Sequence, residues 1–334
     1  MIPLRFVANR VLGMIIVLFL VCLFTFVIFF VLSPDPAVQI CGKNCTPEAI
    51  DQIRANLGID QPFWTQFGTF LAGLFAGRTY GTGPNAIDCA APCLGYSFQS
   101  SQAVTDMIVQ RLPVSATVAV GAAVLWLLAG VAGGLLSAVK EGRFADRFIA
   151  GLTLTGMSIP NYVLALSLQF LLVVTLGWLP FPQAVAFPDD PLQWFQNFLM
   201  PWIVLAIGMA AVYTRLTRAN VIETLQENYV RTARAKGLSP GLVWRRHALR
   251  PALTPIVTIF GMDFAGLLGG ALITETVFGL NGIGKMAADS ITKNDQPVIM
   301  GVTLLAAFLV VIGNMVVDLL YTAIDPRVRV GSSA

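Results

Sequence analysis

Six long apolar windows constrain this sequence more than any other feature. Five of them, residues 11–32, 112–139, 148–176, 197–214 and 298–317, contain no Asp, Glu, Lys or Arg, and the sixth, residues 252–274, contains only Asp263. A helix of about 20 apolar residues crosses a bilayer, and lipid offers no hydrogen-bond partner to an unpaired backbone group. The windows are too long for barrel strands, so we predict an all-α membrane protein with six transmembrane helices.

The first window could also be a secretory signal peptide, because it follows Arg5 and Arg10. The apolar region of a signal peptide usually runs about 7 to 15 residues and ends at a small-residue cleavage site. This window is longer and continues into Ser33 and Pro34, which favours an uncleaved helix. The hydrophobic share of 56% agrees with an integral membrane protein, since soluble domains contain about 45 to 50%.

The distribution of Lys and Arg predicts the orientation, because positive residues near the ends of spans are retained in the cytoplasm. With a cytoplasmic N-terminus, 15 of the 21 Lys and Arg residues lie on the cytoplasmic side, eight of them in the loop 215–250. We therefore predict a multi-pass protein of the cytoplasmic (inner) membrane with both termini in the cytoplasm. The net charge of +3 follows from this asymmetry and does not indicate nucleic acid binding.

The spans divide the chain into four parts. Residues 1–32 are a cytoplasmic start and the first helix, and residues 33–111 are an extracytoplasmic segment. Residues 112–321 form a domain of five helices, and residues 322–334 are a cytoplasmic tail. The outer segment contains Cys41, Cys45, Cys89 and Cys93, and disulfides persist in oxidising compartments. We expect these residues to form disulfides in an undetermined pairing, with zinc binding by the four thiolates as the alternative.

The cytoplasmic loop 215–250 is predicted to contain two short helices that meet at a corner. Residues 221–236 are rich in helix-forming types, and Gly237 stands where a left-handed C-terminal cap is expected. Ser239 can cap a second helix, and Pro240 suits its first position.

The corner itself has the composition of a docking surface. Ala233, Ala235 and Gly237 are small enough to let another backbone approach closely. Around them, further side chains offer charge-assisted hydrogen bonds: Arg231, Arg234 and Lys236. The alternative is that a basic loop fixes topology or contacts anionic lipid, as most cytoplasmic loops of this charge do.

The docking interpretation is favoured by a resemblance to a known family. RTARAKG followed by RHALRPAL resembles the EAA loop of permease subunits in binding-protein-dependent ABC importers, with Arg231, Thr232, Ala233 and Gly237 at motif positions. More narrowly, the chain resembles the B-type subunit of the dipeptide/oligopeptide/nickel permease family. QRLPVSATVAVG, GMSIPNY, LGWLP, ITETVFGLNGIG, DQPVIMG and VVDLLYTAIDPRVR resemble its later landmarks in order. Asn281 departs from the usual Pro, and the segment with the four cysteines is longer than usual.

The resemblance implies the type I ABC importer fold and a subunit that moves dipeptides or oligopeptides inward. It also implies partners: a second, C-type permease subunit, ATPase subunits that bind ATP and Mg²⁺, and an extracytoplasmic solute-binding protein. The loop from Arg231 to Gly237, including Arg234 and Ala235, would be the coupling helix that enters a groove on the ATPase. The chain itself is then expected to be no enzyme and to bind no cofactor.

The stretch 279–286, GLNGIGKM, nearly fits a phosphate-binding P-loop. Met286 replaces the hydroxyl that would bind Mg²⁺, and the stretch follows a membrane helix instead of a buried strand. The predicted orientation also places it outside, away from ATP. We therefore reject nucleotide binding here.

Four polar residues in or near the spans are candidates for the translocation path. Asp263 lies near the middle of the fifth span, where a carboxylate costs roughly 2.5 to 3.5 kcal/mol, so it should face protein or water. It can equally be a structural Asp in the bundle. Glu275 can face an outer vestibule, but we favour the membrane interface. Ser158 and Asn161 flank a proline that marks a kink at a pathway or only a bend.

Two rival classes have fewer features in their favour. A secondary transporter or channel of the same helical class is the alternative function, but a transporter of that kind should contain repeats and ion-coupling carboxylates. A membrane enzyme needs clustered catalytic groups. The sequence has one histidine, His247, so we predict neither a metal site nor a Ser-His catalytic triad.

Overall fold

Long α-helices make up most of the computed structural model of this chain, which describes residues 4–30, 37–38, 45–81, 86–183, 185 and 187–324. In chain order the helices are α1 (Leu4–Phe30), α2 (Pro47–Leu57), α3 (Phe63–Ala76), α4 (Val104–Val139), α5 (Phe144–Ser158), α6 (Asn161–Gln169), α7 (Pro191–Gln226), α8 (Asn228–Ala235), α9 (Pro240–Leu242), α10 (Leu249–Leu268), α11 (Leu272–Val277), α12 (Ile283–Lys293) and α13 (Gln296–Ile324). The wider π-helical turns Phe170–Thr175 and Val243–Ala248 extend α6 and precede α10. The strands are β1 (Arg78–Tyr80), β2 (Ile87–Cys89), β3 (Tyr96–Ser97) and β4 (Gln102–Ala103).

The helices confirm the predicted class of helical membrane protein. Within the described residues, five of them are long and apolar enough to cross a membrane, in α1, α4, α7, α10 and α13. The pair α5 and α6 passes the same test as one bent span, which gives up to six. Helices α4 and α7 have 36 residues each. At 1.5 Å per residue they are about 54 Å long, so they extend well beyond the roughly 30 Å hydrocarbon core.

Two predicted spans are interrupted. The window 148–176 is bent by 97° between Ser158 and Asn161. Pro160 is the cause, since it cannot donate a helical hydrogen bond and it keeps Ile159 in an extended conformation, with φ −88° and ψ 119°. The window 252–274 also fails to form one helix: α10 ends at Leu268, and Gly270 turns the chain with φ +114° before α11 begins.

Glycines close the seam between α4 and α7. A Cβ on Gly130 would lie 2.6 Å from the Cβ of Tyr213, and one on Gly134 would lie 2.4 Å from the Cβ of Thr217. The two glycines are four residues apart, a spacing that lets helix backbones approach closely. Around the seam, the main core contains the fully buried Trp126, with ring centroids 6.2 Å from Tyr213 and 6.0 Å from Phe260 of α10.

The outer segment is a small structure packed on two of the long helices. Helices α2 and α3 lie in this segment. Phe26 of α1 packs against Phe67 and Phe70 of α3, and Met300 of α13 completes this cluster. Two short antiparallel hairpins, β1 with β2 and β3 with β4, follow α3 and were not predicted.

A disulfide closes the turn after β2. Cys89 and Cys93 are bonded at 2.09 Å, so the second CxxxC pair is bridged within itself and not to the first pair. Cys45 is also disulfide-bonded, and Cys41 lies outside the described residues. Cys22 of α1 is a buried free thiol, as expected of a packing residue in a span.

Candidate coupling site and translocation path

The basic loop contains a short helix set apart from the long helix before it. We predicted continuous helix over residues 221–236, but α7 ends at Gln226 and Glu227 adopts an extended conformation with φ −63° and ψ 145°. Helix α8 then begins at Asn228 and ends at Ala235. The loop therefore presents an eight-residue helix that can point in its own direction.

One face of α8 is anchored on its own chain. Val230 is fully buried and Ala233 is 6% exposed, and both pack with Val243 in the turn before α10. Ala233 is therefore not available for close approach by another protein, and that part of the prediction was wrong. The anchor joins α8 to α10, while the chain itself joins α8 to α7.

The opposite face of α8 and the corner after it are exposed. This face consists of Arg231, Thr232, Arg234, Ala235, Lys236 and Gly237. Within the part of the chain that the structure describes, none of its three cations forms an ion pair. The surface is thus positive, with small residues between the charges.

Gly237 adopts the predicted left-handed cap. Its φ is +76°, and its N–H donates to the Arg234 carbonyl at 3.0 Å. A Cβ there would meet nothing within 4 Å, so the backbone conformation, and not space, is what requires glycine. The cap turns the chain toward Pro240, where the second helix begins.

Asp263 and Tyr213 connect α10 to α7 inside the membrane domain. The Tyr213 hydroxyl, which is fully buried, donates to Oδ2 of Asp263 at 2.7 Å. Asp263 itself is only partly buried in the single chain. One carboxylate oxygen is therefore held by protein, while the side chain keeps access to the surface of α10.

Glu275 is fully buried within the chain, and not exposed as a side chain that faces the membrane interface would be. Its Oε1 accepts from the Ser115 hydroxyl at 2.7 Å and from the Ala271 N–H at 3.3 Å. Its Oε2 accepts from the Lys285 N–H at 3.0 Å. Ser115 in turn accepts from the Ile283 N–H at 2.8 Å. The carboxylate thus joins α4, α11 and α12 at the start of α12, where the helix dipole favours negative charge.

This arrangement explains what the P-loop-like stretch does. The first N–H groups of α12, which would face a phosphate in a nucleotide site, donate to Glu275 and Ser115 of the same chain. A Cβ on Gly282 would lie 2.4 Å from the Glu275 carboxylate, so the glycine makes room for an internal anion. The glycine-rich pattern arises from packing.

Ser158 and Asn161 lie on either side of the 97° bend and are exposed. The Ser158 hydroxyl donates to the Leu154 carbonyl at 2.8 Å, within its own helix. Among the described residues, no three His, Cys, Asp or Glu side chains form a group that could hold a metal ion.

The sequence analysis missed an ion pair in which the carboxylate is buried and the guanidinium is partly exposed. Asp146 of α5, 6% exposed, accepts two hydrogen bonds from Arg218 of α7, from Nε at 2.8 Å and from Nη2 at 2.9 Å. The two residues are 72 positions apart, so no local pattern connects them. Asp146 lies in the first turn of α5, directly after a charged turn, where a solvent-exposed side chain is the ordinary expectation.

Comparison with known proteins identifies the class. Residues 130–330 match the family described as binding-protein-dependent transport system inner membrane component, and residues 3–119 match the corresponding N-terminal family. The chain therefore belongs to the family of inner membrane components of binding-protein-dependent transport systems. It is an integral membrane transport subunit.

Relatives align with the chain over nearly its whole length. A Brucella abortus (strain 2308) protein named as a peptide transport system permease is 36% identical over 97% of this chain and 98% of its own length. The glutathione transport system permease GsiC of Escherichia coli (strain K12) is 34% identical over 98% of this chain and 99% of its own.

A solved structure confirms the fold. A chain of the inward-facing MetNI methionine ABC transporter covers 66% of this chain and 96% of its own, with a TM-score of 0.52 and 18% identity. This similarity shows the ABC importer permease fold alone. The predicted family and fold class are both confirmed.

Proposed function

We propose that this chain is the permease subunit of an ABC importer that carries peptides inward across the cytoplasmic membrane. The family places it in a binding-protein-dependent system, and relatives with near-complete coverage are named for peptide and glutathione transport. Glutathione is itself a small peptide, so both names agree on the substrate class.

The observation that carries the mechanism is the two-faced helix α8. Its buried face is fixed to the base of α10 through Val230 and Val243, and its exposed face is basic and small. A partner that grips the exposed face would therefore move α7 and α10 together. We assign the ATPase-docking role to Arg231, Thr232, Arg234, Ala235 and Gly237, with Ala233 as the anchor beneath them.

The partners of this chain in the importer follow from its family. ATP and Mg²⁺ are bound by separate ATPase subunits, and this chain performs no catalysis. A C-type permease subunit completes the membrane unit, and a solute-binding protein delivers the peptide from the outer side. Both termini and the loop 215–250 lie in the cytoplasm. Nucleotide binding closes the ATPase pair, displaces α8 and switches the spans between two arrangements.

The docking role is tested by Ala235→Trp. Ala235 is exposed, so the larger ring should leave the fold intact but block close approach of the ATPase. We expect at least a tenfold loss of ATP-driven peptide uptake in proteoliposomes, which corresponds to about 1.4 kcal/mol. The control is Lys140→Trp, at an exposed position in the turn between α4 and α5. Equal uptake by both variants, or uptake that survives ATP depletion and collapses with the ion gradient, would remove the proposal.

Asp263 is our candidate for a residue that lines the path, because its carboxylate is only partly covered within a span. Asp263→Asn keeps the shape and the contact with Tyr213 but removes the charge. Relative to the native complex, we expect this variant to lose more of its uptake of peptides with a free N-terminal ammonium group than of its uptake of N-acetylated peptides. An equal change for both peptides would assign Asp263 a structural role. Ser158, Asn161 and Glu275 remain weaker candidates.

A further inference from the structure

A buried carboxylate joins three segments near the α8 end of the molecule. Oδ1 of Asp146 accepts from Nε of Arg218 at 2.8 Å and from the Ser137 hydroxyl. Oδ2 accepts from Nη2 of Arg218 and from the Gly142 N–H, both at 2.9 Å. The donors come from α7, from the end of α4 and from the turn between α4 and α5. Both oxygens therefore have two donors.

The geometry makes this contact stiff. Two parallel N–H donors from a guanidinium to one carboxylate fix orientation as well as distance, and lysine cannot reproduce them. Asp146 and Ser137 are 6% and 1% exposed, so the carboxylate end of the contact is covered by protein, while the Arg218 side chain keeps 35% of its surface exposed. Removal of one partner would leave a buried charge without its counter-ion, which is strongly unfavourable.

Two of these segments, α4 and α7, are fixed a second time at the glycine seam. Gly130 and Gly134 bring α4 against Tyr213 and Thr217 of α7 with no room for a methyl group. A seam this close resists sliding, because any shift produces overlap with backbone or Cβ atoms. Asp146 adds α5 to the α4–α7 pair.

The contact between Asp146 and Arg218 lies between α8 and the bend that follows α5. Arg218 lies eight residues before the end of α7 at Gln226, a distance of about 12 Å along the helix. Helix α8 begins two residues after Gln226. At the far end of α5, the chain reaches the 97° bend. Force applied at α8 thus meets the Asp146 contact before it can reach the bend.

We propose that Asp146 and Arg218 form a clamp that stays closed throughout the transport cycle and makes α4, α5 and α7 move as one body. The clamp carries a displacement of α8 to the bent pair of α5 and α6. The two residues are positioning residues, which act through the helices and contact neither peptide nor nucleotide. This inference rests on the proposed docking role of α8.

The first test measures coupling in the complete complex, with both permease subunits, the ATPase and the binding protein, in proteoliposomes. In Asp146→Asn and Arg218→Lys we expect the ATPase to remain bound and active. The number of ATP molecules hydrolysed per peptide imported should rise about 2- to 30-fold, the range typical of lost coupling between sites. A purely structural role would lower both rates together.

Two control variants match these changes. Arg215→Lys alters an exposed arginine on α7, three residues before Arg218, and should keep the native ratio. Glu141→Gln removes a carboxylate 4.0 Å from Arg218 whose side chain is 58% exposed, so solvent already screens it. It should also keep the native ratio. A rise in the ratio for either control equal to that of Asp146→Asn would overturn the clamp.

The second test needs no change to the clamp itself. Spin labels at Arg147→Cys on α5 and Glu223→Cys on α7, both exposed positions, report the distance between the helices in a Cys22→Ser background. We expect the same distance in the nucleotide-free and ATP-bound complexes. A change of about 2 Å or more would mean that the clamp opens and would overturn the proposal, even if Asp146→Asn failed to assemble.

The outcomes also separate the two proposals. If the native chain fails to bind any ATPase, the docking role of α8 falls and the clamp falls with it. If the native complex is coupled and Asp146→Asn shows the native ratio, the docking role stands and only the clamp is overturned.

Discussion

Three carboxylates of the membrane domain differ in what surrounds them. Asp146 is paired with an arginine, Glu275 accepts only from neutral donors, and Asp263 has a tyrosine on one oxygen and an open side. A buried charge is tolerated when it is paired or hydrogen-bonded. The first two therefore fix helices in place, and the third is the one with capacity for another contact.

Glu275→Gln tests the internal anion at the start of α12. The amide keeps the volume, but its NH₂ group cannot accept the hydrogen bond that one carboxylate oxygen now receives. We expect a loss of about 1 to 3 kcal/mol of stability, the cost of an unsatisfied buried group. Thermal unfolding of the purified complex in detergent measures it.

The matched control is Glu223→Gln, at an exposed position on α7, which should unfold at the native temperature. If both variants unfold alike, the Glu275 contacts do not contribute as we describe.

Residue-level prediction from sequence succeeded where the cause is local. The left-handed conformation of Gly237 depends on its position after a helix, which the sequence contains. The burial of Ala233 depends on Val243, and that of Glu275 on Ser115, 160 residues away. Such contacts depend on tertiary packing, which helix and cap patterns do not encode.

At the scale of elements, breaks in helices were harder to predict than the helices themselves. Pro160 gives a local reason for the bend between α5 and α6. The break at Glu227 has no such residue, and the same residue types form helix on both sides. There, burial of Val230 against Val243 outweighs weak helix preferences.

The hairpin of β3 and β4 is held to the membrane domain by Asp295, which precedes α13. The Ser97 hydroxyl donates to Oδ2 of Asp295, and Gln99 donates to the Lys293 carbonyl at 2.7 Å. Burial raises the pKa of Asp295 above its ordinary value of 3.8, although Ser97, a backbone N–H and Lys293 act in the opposite direction. The protonated acid is thus the form that the folded hairpin favours.

Hairpin attachment should therefore weaken as the pH rises. A carboxyl group with a raised folded-state pKa contributes fully below its unfolded pKa, and this contribution is lost as pH rises through the folded pKa. We expect faster hydrogen exchange in residues 96–103 at pH 7 than at pH 4, after correction for the intrinsic rate.

Asp295→Asn supplies the control for this measurement, because the amide does not titrate in this range. Exchange in this variant should be independent of pH after the same correction. A pH effect of native size in Asp295→Asn would assign the dependence to another group.

At the scale of the whole molecule, hydropathy predicted the membrane class because lipid imposes one requirement on every span. The outer segment follows no such rule. Its hairpins depend on the Cys89–Cys93 bridge and on packing against α13, so composition indicated a stapled segment but not its strands.

The proposed orientation predicts which exposed positions react from outside the cell. In a Cys22→Ser background, Asp60→Cys in the outer segment should react with a membrane-impermeant maleimide in intact cells or spheroplasts. Lys140→Cys, in the turn between α4 and α5, should react only after permeabilisation. Both positions are exposed and lie outside the proposed docking surface, so accessibility to the reagent differs through the membrane. Reaction of Lys140→Cys from outside would invert the orientation and contradict the docking role.

The corner between α5 and α6 limits where this chain can stand in a bilayer. Helix α5 has 15 residues, about 22 Å, so a turn at Pro160 falls inside the hydrocarbon layer if α5 begins at its edge. Carbonyl oxygens that lose their donors there cannot face acyl chains. Residues 158–161 are uncovered in the isolated chain. An adjoining polypeptide or a water-filled cavity must therefore cover them. The subunit alone would leave these polar groups exposed to lipid.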